Sequence, residues 1–152
     1  MKVLIINGPN LNLLSKRNKD LYGGIDFDYH LSDFKKEFKK ISIKYFQSNI
    51  EGEIIDELQK HGFSYKYILL NAGGYAHTSV AIRDTIDLIE SKVVEIHMTN
   101  IYAREDFRKK SLISEKCYAI FCGLGIDTYR AALYYISPVS YTHLRAHETP
   151  CH

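Results

Sequence analysis

A doubly wound α/β sandwich around a five-stranded parallel sheet is the fold this sequence predicts, and three observations carry it. Short β-branched and aliphatic runs alternate with amphipathic runs of helical period along nearly the whole chain. The strand runs are apolar almost throughout, as they are when both faces of a parallel sheet are covered. Each helix between strands can supply a right-handed crossover.

Taken in order, Lys2–Asn7 reads as the first strand. Residues from Phe27 to about Lys40 carry Leu31, Phe34 and Phe38 at helical spacing with lysines opposite. Ile41–Gln47 is the second strand. Ser48 or Asn49 can cap a helix to about Lys60, with Ile54, Ile55 and Leu58 inward and Glu51 and Glu53 where the helix dipole favours them. Tyr67–Asn71 is the third strand, and Thr78 or Ser79 opens a helix to about Glu90 that turns Ile82, Ile86 and Ile89 inward. Val93–His97 and Tyr118–Gly123 are the last strands, and Ile126–Ile136 is a closing helix.

A length of 152 residues suits one domain, placed at residues 1–137. The formal charge of +2, with no basic block, excludes a nucleic-acid footprint. No apolar run approaches the roughly 20 residues of a membrane span. Met1 leads straight into the first strand without a signal-peptide cleavage pattern, so the expectation is a soluble cytoplasmic protein with neither a membrane nor a nucleic-acid partner. Cys117, Cys122 and Cys151 form neither a CxxC pair nor zinc-ligand spacing, and Cys117 and Cys122 read as small core or near-core residues of a strand. Residues 138–152 lack amphipathic period and hold three of the seven histidines. His143 and His147 have no third ligand, so no metal site is expected; the stretch reads as a non-native or disordered tail, similar to translated adapter sequence.

Ligands of such sheets bind beyond the carboxyl ends of the strands, near the point where strand order reverses. Here those ends lead into Asn7-Gly8-Pro9-Asn10, Gln47-Ser48-Asn49, the run from Asn71 through His77 to Ser79, His97-Met98-Thr99-Asn100 and Gly123-Leu124-Gly125. The first four are rich in amides, hydroxyls and imidazoles. Neither a P-loop nor GxGxxG follows the first strand. Ser15 to Gly24 forms a long polar loop bounded by a glycine pair, the composition of a lid. It carries Arg17 and Tyr22 close together. A tyrosine acts as a base near neutrality when its pKa falls by roughly 3 units, about 4 kcal/mol. One cation about 4 Å away supplies energy of that order at an effective dielectric of about 20. Glu95 and His97, two apart on a strand, point to one face, so the carboxylate can orient or charge the imidazole. His77 precedes a helix N-terminus, where the dipole favours a neutral ring. Arg104 and Arg108 share a face of any short helix there.

Together these segments resemble type II 3-dehydroquinate dehydratase (type II dehydroquinase). The motifs are Ile6-Asn7-Gly8-Pro9-Asn10-Leu11-Asn12, Arg17 with Tyr22-Gly23, Gln47-Ser48-Asn49 with Glu51-Gly52-Glu53, Asn71-Ala72-Gly73-Gly74-Tyr75-Ala76-His77 continuing to Asp84, Val94-Glu95-Ile96-His97, Arg104-Glu105-Asp106-Phe107-Arg108, and Gly123-Leu124-Gly125. They occur in family order from residue 1 to about 137.

The resemblance implies a flavodoxin-like, three-layer fold and a cofactor-free anti elimination of water from 3-dehydroquinate, giving 3-dehydroshikimate in the shikimate pathway. It implies Tyr22 as base in its tyrosinate form, with Arg17 lowering its pKa, and Asn10 holding the water that stabilises an enolate. His97, oriented by Glu95, would protonate the departing hydroxyl. The substrate carboxylate would sit on Asn71 and the backbone N–H groups of Met98 and Thr99. His77 and Arg108 would bind ring hydroxyls, and Arg104 would support Tyr22 and the lid. Asp84 would reach a neighbouring subunit's site, which implies trimers assembled into a homododecamer. The chain departs from the family pattern at Ser15 and Asn18-Lys19 in the lid, at Met98, Thr99 and Tyr102, and throughout residues 138–152. The alternative is a non-catalytic flavodoxin-like module that binds a small anion at the same edge. A receiver would need an acidic cluster where Asn7 and Asn10 stand, and a flavin carrier would purify yellow.

Overall fold

Successive residues of Lys2–Asn7 (β1) turn to opposite faces of a sheet, and each face meets a different pair of helices. In the computed structural model, residues 1–17 and 24–138 are described. The elements after β1 are α1 (Phe27–Glu37), β2 (Ser42–Gln47), α2 (Glu51–His61), β3 (Tyr67–Asn71), α3 (Val80–Leu88), β4 (Lys92–His97), β5 (Ala119–Cys122) and α4 (Asp127–Ile136). Val3 and Ile5 pack with Phe27, Leu31 and Phe34 of α1 and with Tyr129, Leu133 and Ile136 of α4. Leu4 and Ile6 pack with Ile54 and Leu58 of α2 and with Ile82 and Ile86 of α3. The result is three layers with a core on either side of the sheet.

All strand pairs are parallel, in the order β2-β1-β3-β4-β5. The chain moves from β1 to one side for β2 and then returns to the other side for β3, so the switch point lies between β1 and β3. Their register pairs Asn7 with both Gln47 and Asn71, so three side-chain amides finish level at the carboxyl edge.

The elements follow the predicted pattern, with boundaries that differ for local reasons. α1 stops at Glu37 because Phe38 leaves helical geometry (φ −108°, ψ 63°) and becomes buried. Ser79 caps α3, its Oγ accepting the Ile82 N–H at 2.9 Å. Neither Ser48 nor Asn49 is the N-cap of α2, which is Ile50. Ser48 instead makes a local turn, accepting the Ile50 N–H at 2.9 Å and donating to Glu53. Cys122 closes β5 and Cys117 lies just before it, both half-buried. The link from β4 to β5 contains no α-helix. Three 3-10 turns, Ile101–Ala103, Asp106–Lys109 and Ser114–Lys116, take its place. The shared helical face expected for Arg104 and Arg108 therefore does not form, because Arg104 is extended between the first two turns. Tyr22 and most of the expected tail lie outside the described residues.

Two close approaches shape the switch point. The Gly8 N–H donates to the Asn71 carbonyl at 2.7 Å, bringing the two strand exits together. A Cβ at Gly8 would stand 2.6 Å from the Ala72 carbonyl oxygen, a backbone atom with nowhere to go. Gly8→Ala should therefore destabilise the fold by about 1–3 kcal/mol, read as a lower urea midpoint at unchanged m-value.

Candidate active site

The turn after β1 starts from a residue in an uncommon conformation. Asn10 is the described non-glycine residue with positive φ (70°), a region that Asn tolerates better than most side chains. Its backbone N–H is held by Asn49 Oδ1 at 3.0 Å, and the same oxygen accepts from Gln47 Nε2 at 3.2 Å. Gln47 also donates to the Gly8 carbonyl at 3.2 Å, and Tyr75 Oη donates to the Asn49 carbonyl at 2.9 Å. The Gln47-Ser48-Asn49 motif thus fixes the Asn10 turn from the neighbouring strand.

Behind the edge, Tyr129 joins the exits of β1 and β3. Its hydroxyl donates to Asn7 Oδ1 at 2.6 Å and accepts from Asn71 Nδ2 at 2.9 Å, and its ring is fully buried. Asn71 Oδ1 accepts the Gly73 N–H at 3.2 Å. One Nδ2 hydrogen is committed to Tyr129, and the other remains to donate at the cavity wall.

Glu95 lies inside β4 with its side chain 1% exposed. Its Oε2 accepts from His97 Nε2 at 2.5 Å and from Ser111 Oγ at 2.7 Å, while Oε1 accepts from Ser114 Oγ at 2.5 Å. Burial pulls the pKa of this carboxyl up, but the bonds from His97 and Ser114, the charge of His97 and the bond from Ser111 prevail, so it lies below the ordinary value. An ionised carboxylate only accepts, so His97 Nε2 carries a proton and Nδ1 is left for other partners. The His77 ring stacks on His97 with centroids 5.9 Å apart. Its Nδ1 donates to the Lys110 carbonyl at 2.9 Å, which leaves Nε2 for other partners.

These groups border a cavity of about 170 Å³ at the carboxyl edge. Nine of the twelve expected site residues line it: Asn10, Arg17, Asn71, His77, His97, Met98, Thr99, Arg104 and Arg108. Arg104 Nη1 donates to Thr99 Oγ1 at 3.3 Å, and Arg108 is paired with Glu105. Gly123 and Gly125, both at positive φ, donate their N–H groups to the carbonyls of His97 and Met98 at 3.1 and 2.9 Å, fixing the exit of β4 from the β5 side. Glu95 stands behind His97 rather than in the cavity wall. Asp84 lies on the exposed face of α3, away from this cavity, and Tyr22 is outside the described residues. Among the described residues no group of three or more His, Cys, Asp or Glu side chains is gathered as a metal ion would require, and no helix is long and apolar enough to cross a membrane.

A family model described as dehydroquinase class II matches residues 1–137. The chain belongs to that family.

Among its relatives, the 3-dehydroquinate dehydratase of Clostridium beijerinckii is 48% identical over 136 residues, covering 88% of this chain and 93% of the relative. The enzyme of the same name from Prochlorococcus marinus strain MIT 9215 is 49% identical over 138 residues, with 88% and 92% covered. The crystal structure of a type II dehydroquinase from Butyrivibrio crossotus superposes with a TM-score of 0.81 at 38% identity, covering 88% of this chain and 94% of that one. The parallel sheet and its helical layers are therefore those of type II dehydroquinases, a flavodoxin-like fold.

Sequence reasoning missed four residues that support this dehydroquinase cavity. Asn49 reads as a candidate helix cap and as part of a motif, and Tyr129 is one residue of the closing helix with nothing to single it out. Ser111 and Ser114 sit in a polar run without period. Their spacing of three, matched to tight turns, was the available signal.

The buried carboxylate gives the fold an acid sensitivity. Its folded pKa lies below the about 4.3 of an unfolded glutamate, so its contribution is fully present above that value and is lost as pH falls through the folded pKa. Urea midpoints measured from pH 7 down to pH 3 should show the stability advantage of the natural chain over Glu95→Gln shrinking toward the acid end.

Proposed function

We propose that this chain dehydrates 3-dehydroquinate to 3-dehydroshikimate, a step of the shikimate pathway of aromatic amino acid biosynthesis. The observation that carries the reading is the carboxylate-backed imidazole of His97 facing a cavity walled by Asn10, Arg17, Asn71 and His77, in a chain of the dehydroquinase class II family. Relatives over 90% of whose length is covered bear the name of this activity.

The reaction needs a base for a proton beside a ketone, donors for the resulting enolate and an acid for the departing hydroxyl. Tyr22 takes the proton as tyrosinate, and the guanidinium of Arg17 favours that anion. The electron pair moves onto the ketone oxygen, where a water held by Asn10 stabilises it. The enolate then collapses and expels the hydroxyl beyond the proton-bearing carbon, which leaves as water after taking the proton of His97 Nδ1. Nε2–H stays with Glu95 throughout, so the imidazole neither rotates nor changes tautomer as it reacts. Tyr22 returns its proton to solvent and His97 regains one, leaving the enzyme unchanged. No cofactor or metal takes part.

The substrate carboxylate meets the free Nδ2 hydrogen of Asn71 and the backbone N–H groups of Met98 and Thr99. Arg104 and Arg108 add positive charge at the same wall, and His77 accepts from a ring hydroxyl through Nε2. Asp84, on the exposed face of α3, contributes to the site of a neighbouring copy, in a trimer that assembles further into a dodecamer. The protein works in the cytoplasm, as one domain over residues 1–137. The residues beyond form a tail without a part in the reaction.

Purified protein mixed with 3-dehydroquinate, without added metal or cofactor, should show growing ultraviolet absorbance from the conjugated enone product. Tyr22→Phe and His97→Ala should each lower kcat by about 10²- to 10⁴-fold, with substrate affinity largely kept in Tyr22→Phe. Absence of turnover in natural protein whose fold and assembly are verified would favour a non-catalytic small-anion binder. Full activity in Tyr22→Phe would move the base elsewhere.

A further inference from the structure

We infer that Ser111 and Ser114 are positioning residues of the His97 acid: their hydroxyls hold both oxygens of Glu95 in the ionised form, so that the proton shared by Glu95 and His97 resides on the imidazole. The inference rests on the proposed reaction only for its link to turnover. Its structural part concerns the Glu95–His97 pair alone.

A buried carboxylate 2.5 Å from an imidazole nitrogen has two ways to share a proton, as an ion pair or as a neutral acid facing a neutral ring. Removal from water favours the neutral pair. In that state Nε2 accepts from the Glu95 acid and the ring keeps only Nδ1–H, the proton of a neutral imidazole, which is a far weaker acid than an imidazolium. Hydrogen bonds to an ionised oxygen are roughly twice as strong as those to a neutral one. Donors aimed at Glu95 therefore shift the proton toward His97, and two of them come from the link between β4 and β5. Ser111 Oγ reaches Oε2 at 2.7 Å and Ser114 Oγ reaches Oε1 at 2.5 Å.

The backbone around these serines is held independently of Glu95. The Leu112 N–H donates to the Ala76 carbonyl at 2.8 Å, and Arg83 Nη1 donates to the Leu112 carbonyl at 2.7 Å. Ile113 is fully buried in the core beneath α2 and α3. The same strap supplies the Lys110 carbonyl that accepts from His77 Nδ1 at 2.9 Å. Five consecutive residues thus set the donor and acceptor pattern of both stacked imidazoles.

Other ionisable groups around the pair do not replace the serines. His77 stacks on His97 but spends its Nδ1 on Lys110. Cys117, before β5, is a thiol whose pKa is pushed up by burial and by the Glu95 charge, so it stays neutral. Arg17, Arg104 and Arg108 stand in the cavity wall, which Glu95 does not line, and Arg104 and Arg108 bond to Thr99 and Glu105.

The decisive experiment is nitrogen-15 NMR of the His97 ring together with the pH profile of kcat, in the full-length protein and in S111A, S114A and the double alanine variant. In natural protein near neutral pH both ring nitrogens should carry protons. In the double variant Nε2, the nitrogen that faces Glu95, should move toward the unprotonated resonance while KM stays near its natural value. There kcat should fall by about tenfold, the scale set by losing a charge-assisted bond. Its alkaline limb should also move to higher pH, because the pair then keeps its last proton on Glu95. Damage to packing alone would lower kcat without moving either the resonance or the limb. S111T and S114T, which keep the hydroxyls, should restore the natural ring pattern. If the double variant fails to fold, each single alanine variant carries the test with a partial shift in the same direction. A folded variant whose His97 ring stays doubly protonated with an unmoved alkaline limb would overturn the inference. Because the NMR reading needs no turnover, its failure is distinct from failure of the dehydratase reading.

Discussion

The carboxylate of Glu95 stands inside a strand covered on both faces, and no water reaches it to offset the loss of hydration. Such a charge persists only where donors converge on it. One is the imidazole two residues further along the same strand; the others must come from a different part of the chain. This requirement accounts for the shape of the β4–β5 link. A regular helix there would run past Glu95 with its own backbone satisfied and its hydroxyls spread around a cylinder. Tight turns, with Ile101 and Ile113 as apolar anchors, bring Ser111 and Ser114 to the two carboxylate oxygens. The same turns leave Arg104 and Arg108 at the cavity wall. The irregularity of this connection is thus the structural consequence of one buried charge.

A second constraint comes from the reversal of strand order. At the switch point β1 and β3 emerge side by side with no helix crossing between their carboxyl ends, which opens a crevice but leaves backbone and amide groups to be satisfied. Gly8 closes the backbone by approaching Asn71, and Tyr129 closes the side chains by bridging Asn7 and Asn71 from below. Asn71 consequently presents a defined orientation toward the cavity. An amide with both ends held cannot flip to offer its oxygen where a donor is required.

Much of the fold was legible because local and global demands agree. Val3 to Ile6 and Ile68 to Leu70 are apolar at every position, which only a doubly covered strand allows, and Ser79 sits where its hydroxyl can cap the helix that follows. The Glu95–His97 pair was legible for the same kind of reason, since residues two apart on a strand must share a face. What escaped notice depends on tertiary geometry. Tyr129 occupies an apolar helical position, and nothing in its neighbours shows that its hydroxyl meets two amides from strands more than fifty residues away. Ser111 and Ser114 acquire meaning only once the link between strands folds beneath Glu95. The one-helix face expected of Arg104 and Arg108 failed because spacing by four implies a shared face only if an α-helix forms. The boundary of α1 shifted for a related reason, with Phe38 leaving the helix to enter the core.

The electrostatic character of the cavity is a matter of arrangement rather than of total charge. The chain as a whole carries a formal charge of only +2, yet Arg17, Arg104 and Arg108 converge on one small cavity. The nearby acids do not cancel them equally. Glu95 does not line the cavity but bonds to the imidazole that does, so it acts through His97 rather than on a bound anion. Glu105 lies at the surface and engages Arg108, and that guanidinium holds its carboxyl below the usual range. In water this exposed pair is screened and stabilises little, but it restrains a long side chain that would otherwise sample many rotamers. Restraint of that kind matters more at a small cavity than added charge does, because an anion is recognised by where its donors stand. The buried pair fixes the imidazole of His97 from within the fold and the exposed pair steadies the guanidinium of Arg108 from outside it, and both side chains border the same cavity.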